Sequence, residues 1–203
     1  MQTRTLLFIF VTASFLSAAC NKNDGIKIAN HDSNKMMTIM HAMMSQMEAM
    51  TKSNDPEVDF AKMMTMHHQG AINMANLELQ AGKNDSLKRT AQKIITEQQA
   101  EIQQFNTIIS GLTVDNTDAS FSAEQSENMM KMGKVSDAQL ITDDIDNDFA
   151  TLMIVHHQAA IDNASAYLHH GNHTQLKMMA NNIVMSQNKE IEELAVWLKT
   201  YKR

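Results

Sequence analysis

Proline occurs once and glycine six times in 203 residues, and aromatic residues make up 5%. A chain so poor in turn residues and so rich in Ala, Met, Leu, Gln and Lys is not built from strands and hairpins; it predicts an all-helical protein. Cysteine occurs once, at Cys20, so no disulfide framework exists. Basic charge is also short, with 17 Lys and Arg against 23 Asp and Glu. A nucleic-acid partner, which needs a basic patch, is therefore not expected. The one apolar run near the start, Leu6 to Phe15, is too short to span a membrane. No nucleophile–base pair, phosphate loop or nucleotide motif is visible, so an enzyme is not predicted.

The leader is readable. Arg4 precedes the apolar run, and Ser17-Ala18-Ala19 offers a small-residue cleavage region, so residues 1–19 form an export signal. Cys20 follows directly. The arrangement resembles a bacterial lipobox, with Leu16 one place further upstream than usual, and predicts a lipidated Cys20 anchored in the cell envelope and facing the periplasm. The polar stretch to residue 34 then suits a flexible tether.

The strongest feature of the chain is a repeat. Asp59 to Phe105 aligns without a gap on Asp148 to Leu194, 89 residues later, with 19 identical pairs over 47 positions. Each copy predicts a helical hairpin. Helices are expected over 59–81 and 86–110, and again over 148–170 and 174–199. Gly82, Gly111 and Gly171 stand at their ends, and Pro56 sits at a first helical position. Phe60, Met64, His67, His68 and Ala71 share one face of the first helix. Phe149, Met153, His156, His157 and Ala160 share that of its copy. Phe105 and Trp197 read as core. Residues 55–203 are thus expected to form a four-helix bundle with one long crossover, residues 113–147, as in ferritin-like folds. That crossover carries a short helix near Ser122 to Met132.

The chemistry lies in the doubled Met-x-x-His-His. Four imidazoles, His67, His68, His156 and His157, are expected to converge in one core, and burying them without partners is costly. Met64 and Met153 lie one turn before them. Folding each hairpin about its turn brings Gln98 and Glu101 level with the first histidine pair, and Gln187 and Glu190 level with the second. These carboxylates either fix imidazole tautomers or bind metal themselves. A His–Glu network without metal is the structural alternative. Di-iron bundles carry Glu-x-x-His, whereas here a thioether stands in the carboxylate's place. Thioether with imidazole is a soft set that suits Cu(I) and, by the same property, Ag(I); iron or manganese is the harder alternative.

Residues 35–52 form a separate methionine-rich helical segment. Met36, Met40, Met43, Met44, Met47 and Met50, with His41, are candidates for accessory copper binding, against the simpler reading of methionines as core filling. Ile154 and Val155, facing outward, are expected to offer that segment a docking surface. His169, His170 and His173 cluster near a turn and read as solvated. Asp59 and Asp148 read as first-turn carboxylates favoured by the helix dipole.

The doubled Asp-Phe…Met-x-x-His-His-x-x-Ala-Ile pattern resembles domain-of-unknown-function family 305, over roughly Pro56 to Lys199. The resemblance implies a ferritin-like fold and similarity to exported copper-binding members with Met- and His-rich segments. It points to Met64, His67, His68, Met153, His156 and His157. Asn163, where the first copy has Met74, breaks the pattern. The expected function is an exported, membrane-tethered Cu(I) buffer or chaperone. A ferritin-like di-metal oxidoreductase and a structural envelope protein stand as alternatives.

Overall fold

The computed structural model describes residues 28–201, so the expected leader and Cys20 lie outside the described residues. Six α-helices follow one another among these: α1 (Lys35–Glu48), α2 (Pro56–Ala81), α3 (Asp85–Ile109), α4 (Ala119–Asp137), α5 (Ile145–His170) and α6 (Thr174–Thr200). No described helix is long and apolar enough to cross a membrane. Each starts on a side-chain cap: Asn34, Asp55, Asn84, Asp118, Asp144 and His173 accept from backbone N–H groups of the first turn. Gly82 and Gly171 follow α2 and α5, as expected.

The two hairpins α2–α3 and α5–α6 pack through α2 and α5, giving the predicted bundle. Its core is Phe60, Met64, Ala71, Ile94 and Phe105 with Phe149, Met153, Ala160 and Ile183, all buried. Phe60 stacks on Tyr167 with centroids 4.3 Å apart and meets Phe105 edge-on at 5.8 Å. Trp197 is only half-buried, and stacks on Tyr201 rather than filling the centre.

The crossover holds more structure than its polar composition suggested. Its helix runs for 19 residues, and α4 sits in the second half where α1 sits in the first. The 89-residue offset joins them: Met40 pairs with Met129, and Met43 with Met132. The repeating unit is therefore three helices, α1–α3 and α4–α6, related by an approximate two-fold. Reciprocal bonds at the loops show that relation. Glu57 accepts from the N–H groups of Asn172 and His173 in the α5–α6 turn, and its equivalent Asp146 accepts from Lys83 and Asn84 in the α2–α3 turn.

Asp59 and Asp148 act in the same reciprocal way. Asp59 accepts from the N–H and Oγ of Ser53, the N–H of Asn54 and Oγ of Ser122 in α4. Asp148 accepts from the N–H and Oγ1 of Thr142 and from Nδ2 of Asn34, the α1 cap. Both carboxylates are fully buried, and each ties a helix start to the chain before it and to the opposite half's outer helix. Asn54 and Asp143, equivalent residues, take positive φ of 61° and 60° to make the turn.

The molecule thus has three layers: α1 with α4, α2 with α5, and α3 with α6. The helices of the first two layers pack against each other, whereas α3 and α6, each packed on its own hairpin partner, leave a cleft bridged by the Lys93–Glu190 ion pair. From Ala29 onward the segment expected to be a free tether is fastened: Ala29 N–H donates to Ile141 O at 2.7 Å, and His31 Nε2 to Gln139 O at 2.9 Å. The surface carrying Ile154 and Val155 faces Met132 and Val135 of α4 across a groove, not α1. The methionine helix docks instead on α2, where Gly70 lets Met43 approach so closely that a Cβ there would lie 2.1 Å from its sulfur. The second half has Ala159 at that position.

Candidate functional site

The histidines lie where α2 and α5 cross, and all four are fully buried. His67 and His156, equivalent by the repeat, stack with ring centroids 3.7 Å apart and planes tilted by 36°. His156 Nε2 donates to the carbonyl of His67 at 2.9 Å, because a carbonyl can only accept. Its Nδ1 therefore carries the lone pair, and that atom has no partner. Neither nitrogen of His67 has one. Burial and the neighbouring imidazoles hold both rings well below the usual histidine range, so the pair is neutral.

The outer histidines turn to the third layer. His68 Nε2 lies 2.7 Å from Glu101 Oε2, and His157 Nε2 lies 2.9 Å from Glu190 Oε2. The Glu101 carboxylate at Nε2 of His68 fixes the proton there and leaves Nδ1 with a lone pair, whereas the approach of Glu190 to His157 lacks hydrogen-bond geometry; Nδ1 of His68 and both nitrogens of His157 are buried without hydrogen-bond partners. The single cluster of four imidazoles expected from the repeat does not form. His67 and His68 centroids are 6.4 Å apart, His156 and His157 5.9 Å, and the described residues bring no three His, Cys, Asp or Glu side chains together around a point fit for a metal. Adjacent residues on a helix diverge by about 100°, so only one of each pair can face the two-fold.

Gln98 and Gln187 are buried beside these pairs. Both amide atoms of Gln98 and Oε1 of Gln187 lack partners. Glu190 is closed in further by Lys93, whose Nζ lies 3.2 Å from Oε1. Burial alone pushes the Glu190 carboxyl up, but His157 and Lys93 outweigh it and hold it below the usual range. Burial lowers Lys93, and Glu190 more than reverses this.

Met64 and Met153 are fully buried in the same core, as is Met74, while its equivalent Asn163 is buried with Nδ2 donating to Ala159 O. Of the methionine segment, Met36, Met40 and Met43 fill the interface of α1 with the bundle, which matches the packing alternative. His41 is exposed, with Nε2 2.9 Å from Asp137 Oδ1. Met44, Met47 and Met50 do something else. They line a pocket of about 300 Å³ between α1, α2 and α4 together with Met63, Met129 and Met130, and Glu48, Lys52, Gln125 and Ser126 complete the lining. Five thioethers from three helices, with Met50 of the α1–α2 loop, thus gather at one pocket that opens to the surface at Met130. The sequence alone leaves Met129 and Met130 of the crossover ambiguous and reads Met63 only as part of the core-facing arc of its helix.

His170 was expected to be solvated. Instead it joins the ends of two helices, with Nδ1 2.8 Å from Asp118 Oδ2 and Nε2 3.1 Å from Glu124 Oε2, and its pKa is raised, by Asp118 foremost.

A family model described as a domain of unknown function, DUF305, matches residues 13–109 and again 110–198. Each match spans one three-helix unit. No curated protein matches the chain. Among solved structures, CopM in an Ag-bound form is 28% identical with a TM-score of 0.56, covering 72% of this chain and 97% of CopM. CopM in the Cu(I)-bound form is 27% identical with a TM-score of 0.55, and the Cu(II)-bound form 28% identical with 0.54; each covers 72% of this chain and 98% of CopM.

Proposed function

The chain belongs to the DUF305 family, and from that premise we propose that it is a soft-metal-binding protein of the bacterial cell envelope, taking Cu(I) and Ag(I) as a buffer or chaperone. The observation that carries this reading is the gathering of Met44, Met47, Met50, Met63, Met129 and Met130 at one pocket, whose other lining residues are Glu48, Lys52, Gln125 and Ser126. Thioether sulfur is a soft, neutral donor that prefers a soft monovalent ion and stays a ligand at acid pH, because it has no proton to lose. Leu would pack more rigidly, so open space lined by flexible methionines favours a ligand over filling. CopM, similar over 72% of this chain, has been crystallised with Ag, Cu(I) and Cu(II).

The histidine layer supports the same reading in a second place. His156 and His68 each hold Nε2 on an oxygen and leave Nδ1 with its lone pair in a buried site, and His157 lies beside Glu190 with Nδ1 likewise buried and without a hydrogen-bond partner. Met64 and Met153 lie one helical turn away on the same faces, where the carboxylates of a di-iron bundle would stand. Iron or manganese finds no such carboxylate–histidine cluster among the described residues. Export rests on the leader, residues 1–19, and membrane attachment on lipidation of Cys20.

The test is a Cu(I) competition titration against a chromogenic chelator under reducing conditions. The proposal expects tight uptake by the unmodified protein. It expects a lost equivalent when Met44, Met47, Met63 and Met129 are all changed to Leu, a near-isosteric replacement. Equal uptake by both proteins would mean that the methionines only pack.

A further inference from the structure

The two His–Glu pairs are equivalent by the repeat but differently furnished. Glu190 has both oxygens engaged: Oε2 lies beside His157 and Oε1 beside the ammonium of Lys93. Glu101 holds His68 through Oε2, and among the described residues no Lys or Arg lies within ion-pair reach of it. The residue equivalent to Lys93 in the second half is Asn182. Glu190 is closed off, with its side chain 3% exposed, while Glu101 is 22% exposed. Both line the cleft between α3 and α6, a cavity of about 490 Å³ also lined by Asn182, Lys93 and Lys189, but only Glu101 is open to it. A second cavity, about 790 Å³, continues it along the helices and shares Ala100, Gln104 and Asn182 with it.

We infer that the α3–α6 cleft holds a one-sided site for a divalent cation at Glu101, and that Lys93 occupies the matching place in the other half as a built-in cation. The donors are oxygen atoms: the cleft-facing carboxylate oxygen of Glu101 and the amide oxygens of Gln98 and Gln187. Both amides are nearly fully buried, line the same cleft and have unpartnered oxygens. Buried amide oxygens without partners are expensive unless something polar joins them, and a cation can join them to a carboxylate; the Nε2 of Gln98, also without a partner, would then point away from it. Oxygen donors favour a harder ion than the thioethers of the opposite face, and among divalent first-row ions the order of affinity places Cu(II) first. The molecule therefore offers sulfur on its α1–α4 face and oxygen on its α3–α6 face, with the imidazoles between. The inference rests on the copper-binding reading but uses none of the methionines.

The repeat supplies the test. Cu(II) alone is titrated into the full chain under oxidising conditions by equilibrium dialysis, with electron paramagnetic resonance of the bound ion. The variants exchange the two halves: Lys93→Asn and Asn182→Lys. Lys93→Asn is expected to gain one Cu(II) equivalent. Asn182→Lys, and independently the near-isosteric Glu101→Gln, are expected to weaken the strongest Cu(II) equivalent at least tenfold and to lose its signal. Cu(II) on exposed histidines is the same in every variant and cancels in the comparison. Circular dichroism melts identify a variant that fails to fold, and Glu101→Gln then decides. Identical Cu(II) binding in unmodified protein, Lys93→Asn and Glu101→Gln would overturn the inference. The copper reading fails separately, if the unmodified protein takes up neither Cu(I) nor Ag(I).

Discussion

His67 and His156 are 89 residues apart in the chain and stack on each other with centroids 3.7 Å apart, on the axis that relates the two halves. A residue on such an axis meets its own copy, so one helix position sets both walls of the contact. The same relation carries His68 and His157 away from the axis, each toward a glutamate of its own hairpin. The central pair is buried, neutral and short of hydrogen bonds, an arrangement that costs folding free energy while no metal satisfies it.

Replacing His67 and His156 together with Leu is therefore expected to stabilise the metal-free protein. A buried unsatisfied polar group costs about 1–3 kcal/mol, so the melting temperature should rise by roughly several degrees. Thermal melts of both proteins in chelator check this. A marked fall would mean that the imidazoles are held by interactions stronger than the single bond from His156.

Gly70 fixes the docking of the methionine helix. In Gly70→Ala the new Cβ would lie 2.1 Å from the sulfur of Met43 and 2.9 Å from its Cγ, so the Met43 side chain must turn away or α1 must move. Overpacking of this kind costs about 1–3 kcal/mol. The expected outcome is faster hydrogen exchange in α1 and weaker Ag(I) binding, since α1 carries half the cavity wall, with the α2–α3 and α5–α6 hairpins unchanged. Alanine is the native residue at the equivalent position, so Ala159→Gly, which adds no atom, serves as the control.

Glu78 gives a pH dependence. It is fully buried, and burial together with the neighbouring Asp146 pushes its pKa up to about 8, from an ordinary 4.5. The folded form thus holds a proton that the unfolded chain releases near pH 4.5. The stability this provides is complete below that pH and is lost as pH rises through about 8. Urea midpoints are expected to fall between pH 5 and 9 in the unmodified protein, and to fall less in Glu78→Gln. Parallel pH profiles would contradict the assignment.

Much of this was legible in the chain. The repeat gave both hairpins to within three residues, because a long amphipathic pattern is a strong signal. It also gave the register that sets Glu101 against His68, because a tight turn fixes which residues of two antiparallel helices lie level. The kinship of α1 and α4 was hidden, since few of their paired residues are identical and Met36, Met37 and Met47 answer to Gln125, Ser126 and Ser136. The four-histidine cluster failed for a geometric reason: adjacent imidazoles leave a helix in different directions. The methionine cavity was unreadable for another. Spacing along α1 shows which methionines share a face, but not that Met63 and Met129 come from other helices to meet them.

The central claim, that sulfur binds the metal, is tested most directly by X-ray absorption at the silver edge of the protein loaded with one equivalent of Ag(I). The account predicts a first shell dominated by sulfur, which disappears when Met44, Met47, Met63 and Met129 are changed to Leu. A first shell of nitrogen and oxygen only, unaltered in that variant, would contradict it.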